Sequence, residues 1–200
     1  VATVPQAARI YDLMGRLEAR PIPWEDSPVR RELATILSTG DQSGEQEIVS
    51  LLREALVLLD ARFGGTCPLH RFSHGDFLPW NTRGLGDSAF VFDWEWAGWR
   101  LPFHDAYHYL LIPLLGSGKL PADPVLTRLP QSLAFVRVQG DGPPVKVEDP
   151  IWCLAFIAER LAFYSRSCLE AGDPPRRHRT VSDLMGLLRI AITSQPNRWL

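Results

Sequence analysis

Ser73-His74-Gly75-Asp76-Phe77-Leu78-Pro79-Trp80-Asn81, followed ten residues later by Val91-Phe92-Asp93-Trp94-Glu95, is the stretch that decides how this chain is read. Asn81 and Asp93 flank a turn centred in sequence on Asp87, within the turn formers Gly84, Gly86, Asp87 and Ser88. Ala89-Phe90-Val91-Phe92 behind them is a compact β-type run. Folded as a hairpin, the segment returns Asn81 and Asp93 to the same open end, on strands about 4.8 Å apart. Two hard oxygen ligands then face one small volume, which suits a Mg²⁺ that keeps waters and borrows phosphate oxygens. Asp76 lies five residues before Asn81, on a loop that Gly75 and Pro79 constrain. It reaches the same mouth without being a metal ligand.

The flanks are helical. Ile10, Leu13, Met14 and Leu17 share one apolar face, which predicts a helix over 8–19 that Arg20-Pro21-Ile22-Pro23 breaks. Ser27-Pro28 reads as an N-cap with proline in the first turn, opening a second helix to about Thr39. Gly40 to Gly44 reads as a polar loop. Ile48, Leu51, Leu52, Ala55, Leu59 and Phe63 keep the helical period until Gly64-Gly65 ends it. From Pro102 onward, helices are expected over 103–115, 123–136, 149–171 and 178–193, with loops at 140–144 and 172–175. Ile151, Leu154, Ile157, Ala158 and Leu161 form a core stripe. The expected fold is mainly α with a small β-hairpin region, as one domain over 1–200. Helices fill 1–65, the loop and hairpin fill 69–95, and helices fill 102–195.

Composition narrows the function classes. Among 200 residues, 46% are hydrophobic and 22% charged, the balance of an ordinary globular chain. Lys plus Arg total 21 against 23 Asp plus Glu, a net charge of -2. That balance argues against nucleic acid as the main partner and against a polybasic membrane-surface protein. No apolar run reaches the ~18 residues of a membrane span, and the start carries no basic-then-apolar signal pattern. Cys67, Cys153 and Cys168 are odd in number and lack a Cys-x-x-Cys pair, which points away from a disulfide scaffold or cysteine zinc site. A reducing, cytoplasmic setting is expected.

An Asp, an Asn five positions later and an Asp after a hairpin is the arrangement of kinase active sites. His74, Asp76 and Asn81 fit H-x-D-x-x-x-x-N at every position. His-Gly-Asp-Phe-x-Pro-Trp-Asn followed by Asp-Trp-Glu resembles the aminoglycoside phosphotransferase and choline kinase family of small-molecule kinases. In that family Gly replaces the Arg of the protein-kinase His-Arg-Asp, as at Gly75. The later Asp is not followed by Phe-Gly, as at Trp94-Glu95. The resemblance implies the C-terminal lobe of a protein-kinase-like fold. Asp76 would be the catalytic base or hydroxyl-orienting residue, Asn81 and Asp93 the Mg²⁺ ligands, and His74 a structural residue of the loop. Asp105 matches a family Asp that opens the following helix and braces the loop. The implied activity is transfer of the γ-phosphate of ATP or GTP to a hydroxyl of a small molecule. Aminoglycoside, amino alcohol, sugar and nucleoside acceptors all stay open.

The motif similarity covers 73–105. Residues 1–65 hold no glycine-rich strand-turn-strand and no lysine, so the ATP-covering N-terminal lobe of the family is not read in this chain. The expectation is a piece of a longer protein, a partner chain that supplies the lobe, or a catalytically inactive kinase-like binding or scaffold module. An isolated lobe exposes apolar surface, so association with a second copy or a partner is also expected.

Asp76, Asn81 and Asp93 are turn-favouring residue types, but their joint spacing favours a site. His104 and His108, spaced i and i+4, resemble half of a helical zinc site; no third ligand is evident, and structural histidines are expected. Gly116-Ser117-Gly118-Lys119 falls short of a phosphate loop, with Pro113 at the first glycine position and Leu120 for Ser/Thr. Trp80 and Trp94 are expected to pack beneath the loop. Trp96 and Trp99 are either substrate platforms or core, and Glu95 either binds a cationic substrate group or hydrogen-bonds the loop. Arg176-Arg177-His178-Arg179 reads as a solvated loop.

Overall fold

The apolar stripes fold as helices around a shared core. The computed structural model describes residues 19–43, 45–85, 88–115 and 149–193. Its helices are α1 (Pro28–Ser43), α2 (Gln46–Phe63), α3 (His104–Leu111), α4 (Ile151–Glu170) and α5 (Arg179–Thr193). Val29, Leu33 and Ile36 of α1, Leu52 and Leu59 of α2, and Leu184 and Leu188 of α5 join the apolar face of α4 in one cluster. Every residue of α4 from Ile151 to Ala162 is buried, so this helix is the axis of the bundle.

Several boundaries differ from expectation. Ser27 opens α1 as predicted, its carbonyl accepting the Arg31 N–H at 3.0 Å. Its hydroxyl does not cap the helix; it bonds His70 Nε2 at 2.9 Å. Helix α1 also runs through Gly40 to Ser43, where a loop was expected. One interior glycine costs a helix about 1 kcal/mol. Burying Val29, Leu33 and Ile36 returns about 1.5–3 kcal/mol each, which outweighs it. Helix α3 stops at Leu111 and tightens into a 3₁₀ turn, Ile112–Leu114, because Pro113 offers no N–H. The helix expected over 8–19 lies outside the described residues except for Ala19, which begins a strand. The helix at 123–136, the loop at 140–144 and Gly116–Lys119 also lie outside them.

Among the described residues five short strands accompany the helices: β1 (Ala19–Pro21), β2 (Leu69–Ser73), β3 (Thr82–Leu85), β4 (Ser88–Val91) and β5 (Gly98–Arg100). β3 and β4 form the expected hairpin. β1, β2 and β5 form a separate antiparallel sheet with β2 in the middle, setting Arg20 opposite His70 and Phe72 opposite Trp99. The fold is thus mainly α with small antiparallel sheets. β1 and β5 are three residues long, too short to show alternation in the sequence. No helix among the described residues is long and apolar enough to cross a membrane, and all three cysteines are free thiols.

Candidate functional site

The loop leaving β2 is held by its own backbone. Gly75 sits at φ +83°, and a Cβ there would collide with the Trp96 carbonyl, so only glycine fits. Asp105, in the first turn of α3, accepts the His74 N–H on Oδ2 at 2.7 Å and the Gly75 N–H on Oδ1 at 3.0 Å. His74 Nε2 donates to the Phe92 carbonyl at 2.7 Å. Its Nδ1 is therefore left to accept the Asp76 N–H at 3.2 Å, which fixes the tautomer. Trp94 lies against the ring, 4.6 Å between centroids. Burial pushes the Asp105 carboxyl up, but the bond and charge of His104 and the two backbone N–H groups outweigh it. Its pKa is lowered overall.

Asp76 is treated differently. It is half-buried, and its Oδ2 accepts one side-chain donor, Asn81 Nδ2, at 2.8 Å; the same amide bonds the Asp76 carbonyl at 3.0 Å. Burial raises its carboxyl above the ordinary aspartate value, Asn81 and His74 pull it down, and the nearby charge of Asp93 pushes it up again. A raised carboxyl is a better proton acceptor near neutral pH than an ordinary one. His108 Nε2 lies 3.8 Å from Asp76 Oδ1. Burial, with Arg160 and His104 beside it, holds the His108 ring well below its usual range, so a neutral ring faces the carboxylate.

Asn81 and Asp93 both lie at the open end of the hairpin, with one change of register. Thr82 pairs with Val91 and Leu85 with Ser88, and the Phe92 N–H donates to the Asn81 carbonyl at 3.0 Å. In this register Asn81 opposes Phe92 rather than Asp93, which lies one residue beyond. Asp93 takes φ 67°, a left-handed conformation that Asp tolerates, and turns the chain out of β4. The Asn81 amide nitrogen is engaged by Asp76, so its Oδ1 is turned away from that carboxylate. With the exposed Asp93 carboxylate it makes a pair of oxygen donors, one neutral and one anionic. That set fits a Mg²⁺ retaining several waters. Among the described residues no group of three or more His, Cys, Asp or Glu could hold a metal.

A second feature lies beside this mouth. Trp96, α1, β5 and α4 enclose an open cavity of about 310 Å³. Its floor is a charged cluster on Glu159, whose carboxylate meets His104 Nε2 at 3.0 Å, Arg160 at 3.0 Å and Arg100 Nε at 3.3 Å. Burial raises the Glu159 carboxyl, but Arg160, His104 and Arg100 together hold it well below its usual value. The cavity and the loop share walls: Arg160 acts electrostatically on Asp76, and the Trp96 backbone rests on Gly75.

The structure bonds Asp76 to Asn81 and brings Asp93 near enough to act electrostatically on Asp76. Glu95 is exposed on the turn after Asp93 and does not line the cavity. Trp96 does line it, edge-on to Phe163 at 5.3 Å. Trp99 sits in β5 with the Arg20 guanidinium 4.0 Å over its ring and Phe72 edge-on at 5.8 Å. Trp80 does not pack beneath the loop: it is 53% exposed, because the 3₁₀ turn Pro79–Asn81 aims Asn81 inward and its neighbour outward. Trp94 covers His74 from the outer side, its Nε1 donating to the Val91 carbonyl at 3.0 Å. His104 and His108 stack at 5.7 Å, and both nitrogens of His104 face carboxylates, Asp105 at 3.4 Å and Glu159 at 3.0 Å. Sequence reasoning missed Glu159, Arg160 and Arg100. The available signal was the Glu159-Arg160 pair, a double charge inside an otherwise apolar helical run. Compared with known proteins, the chain matches no family model, no curated protein and no solved structure.

Proposed function

We propose that this chain is the acceptor-binding, C-terminal lobe of a small-molecule phosphotransferase of the protein-kinase-like type, working in the cytoplasm. The observation that carries the reading is the half-buried Asp76 carboxylate, raised in pKa and bonded to Asn81, with Asp93 at the same mouth. Asp76 orients the acceptor hydroxyl and takes its proton as the oxygen bonds to the γ-phosphorus, while the bond from that phosphorus to the β–γ bridging oxygen breaks and the nucleoside diphosphate leaves. Asn81 holds the Asp76 carboxylate by its amide nitrogen and presents Oδ1 to Mg²⁺; Asp93 supplies the anionic ligand. Held by Asn81 and Asp93, a Mg²⁺ bound with ATP or GTP would supply neutralisation of the charge spread over the transferring phosphoryl oxygens. His74 and Asp105 position Asp76 without touching substrate. The glycine-rich loop and phosphate-binding lysine come, on this reading, from another part of the protein or from a partner chain.

The test is nucleotide consumption by the complete protein against a panel of hydroxyl acceptors, with and without Mg²⁺. Asp76→Ala is expected to remove transfer while leaving thermal melting unchanged. Equal turnover in the variant ends the mechanism. Asp93→Asn is expected to weaken the Mg²⁺ dependence, and an unaltered Mg²⁺ titration removes Asp93 from the metal site.

A further inference from the structure

We infer that the cavity between α1, β5 and α4 binds an anionic group, a carboxylate or a phosphate. On the kinase reading above that group belongs to the hydroxyl acceptor; the anion binding itself does not rest on that reading. Glu159 offers one negative charge to Arg100, Arg160 and His104. Two guanidiniums against one carboxylate leave a positive surplus on the cavity floor. Arg166 meets two carboxylates, Glu32 at 2.8 Å and Glu170 at 2.9 Å, which leaves a negative charge at the rim. Arg31, also on the rim, makes no ion pair with a described residue and offsets that charge, so the surplus on the floor stands.

Unsatisfied donors point the same way. Arg160 is 4% exposed, yet its Nε has no hydrogen-bond partner among the described residues. Arg100 Nε, 3.3 Å from Glu159, also lacks a hydrogen bond of good geometry. A buried donor left unpaired costs about 1–3 kcal/mol, more when charged, and a planar guanidinium is matched by a carboxylate or phosphate oxygen pair. Trp96 and Phe163 supply an apolar wall, and Arg160 stacks over Phe163 at 4.6 Å, which orients its fork. A volume of about 310 Å³ suits a metabolite-sized molecule. A polycation would meet like charge here. The inferred acceptor is therefore a hydroxy acid or a hydroxylated phosphate ester rather than an aminoglycoside or amino alcohol.

The test is calorimetric binding to the chain without nucleotide, using matched three-carbon probes: glycerate, glycerol 3-phosphate, glycerol and 3-amino-1,2-propanediol. At least one anion is expected to bind saturably and about tenfold or more tighter than glycerol, with the amine weakest. Which anion wins distinguishes carboxylate from phosphate. Arg31→Gln, on an exposed helix position, is expected to weaken the anion about threefold without changing melting. Arg160→Lys keeps the charge facing Glu159 but loses the fork, and a loss of about tenfold is expected. Anions that bind no tighter than glycerol, or equally to wild type and both variants, overturn the inference. Transfer to neutral acceptors without anion binding overturns it while leaving the kinase reading intact. Anion binding by the chain, with no transfer to any acceptor by the complete protein, supports it and ends the kinase reading.

Discussion

Asp76 and Asp105 stand at opposite ends of one hydrogen-bonded loop, and their surroundings push them in opposite directions. Asp105 is 2% exposed, accepts two backbone N–H groups and lies beside His104; its carboxyl is held low. Asp76 is half-buried, has one side-chain donor and shares its neighbourhood with Asp93; its carboxyl is raised. Burial acts on both with the same sign. The number of donors that answer it decides the outcome. One aspartate becomes a fixed anchor and the other a group able to exchange a proton, which is how a single residue type serves two roles in one site.

The contrast can be broken by experiment. Asp105→Ala strands two backbone N–H groups and an imidazole, and about 3–5 kcal/mol of unfolding free energy is expected to go. A loss below about 1 kcal/mol in a urea titration would mean that the loop does not depend on this anchor.

Acidification should erode the anchored side first. Burial lowers the His70 ring from its ordinary 6.5 to about 4. The neutral ring is matched by Ser27 and the Pro68 carbonyl. A folded-state pKa below the unfolded one means that stability is fully present above pH 6.5 and lost as pH falls toward 4, about 3 kcal/mol from His70 alone. His108 acts in the same direction. Asp105, also lowered, adds stability above its unfolded value that is lost as pH falls through its folded one. Asp76 has the opposite sign, because a raised carboxyl costs stability above its folded value and is relieved on acidification. A melting temperature that stays flat from pH 7 to pH 4 contradicts the burial of His70 as a neutral ring.

Gly75→Ala should come next, at about 2 kcal/mol, since a Cβ at φ +83° meets the Trp96 carbonyl. An unshifted melting curve would show that loop and turn can separate. The smallest stability effect belongs to Asp76→Asn. Removing a half-buried charge with one side-chain donor is expected to change stability by about 0.5 kcal/mol or less. A loss comparable to that of Asp105→Ala would erase the distinction between the anchored and the unanchored carboxylate.

The loop and the hairpin were legible because their signals are local. Asp76 and Asn81 are five residues apart, and Gly84 and Ser88 lie on the two paired strands that the turn signal joins, one residue out of the expected register. The role of Asp105 was visible only through a family resemblance, since nothing near His104-Asp105 in sequence shows that its carboxylate faces residues 74 and 75. The end of α1 was misread because Gly40 and its polar neighbours carry a turn signal that the helix's buried face overrides. Trp80 was misplaced because a 3₁₀ turn, not the size of the side chain, sets which way it points.

By itself the sequence determined the helical stripes, the spacing of Asp76, Asn81 and Asp93, and the glycine beside Asp76. Each of these depends on residues close along the chain. Only the tertiary structure decided which aspartate is anchored and where positive charge is left over. Both follow from partners far apart in sequence: Asp105 reaches back 31 residues to His74, and Arg166 crosses 134 residues to Glu32. Pairing Arg166 with Glu32 while Arg100 and Arg160 share Glu159 depends on how α1, β5 and α4 pack, which turns a net acidic chain into a locally cationic cavity.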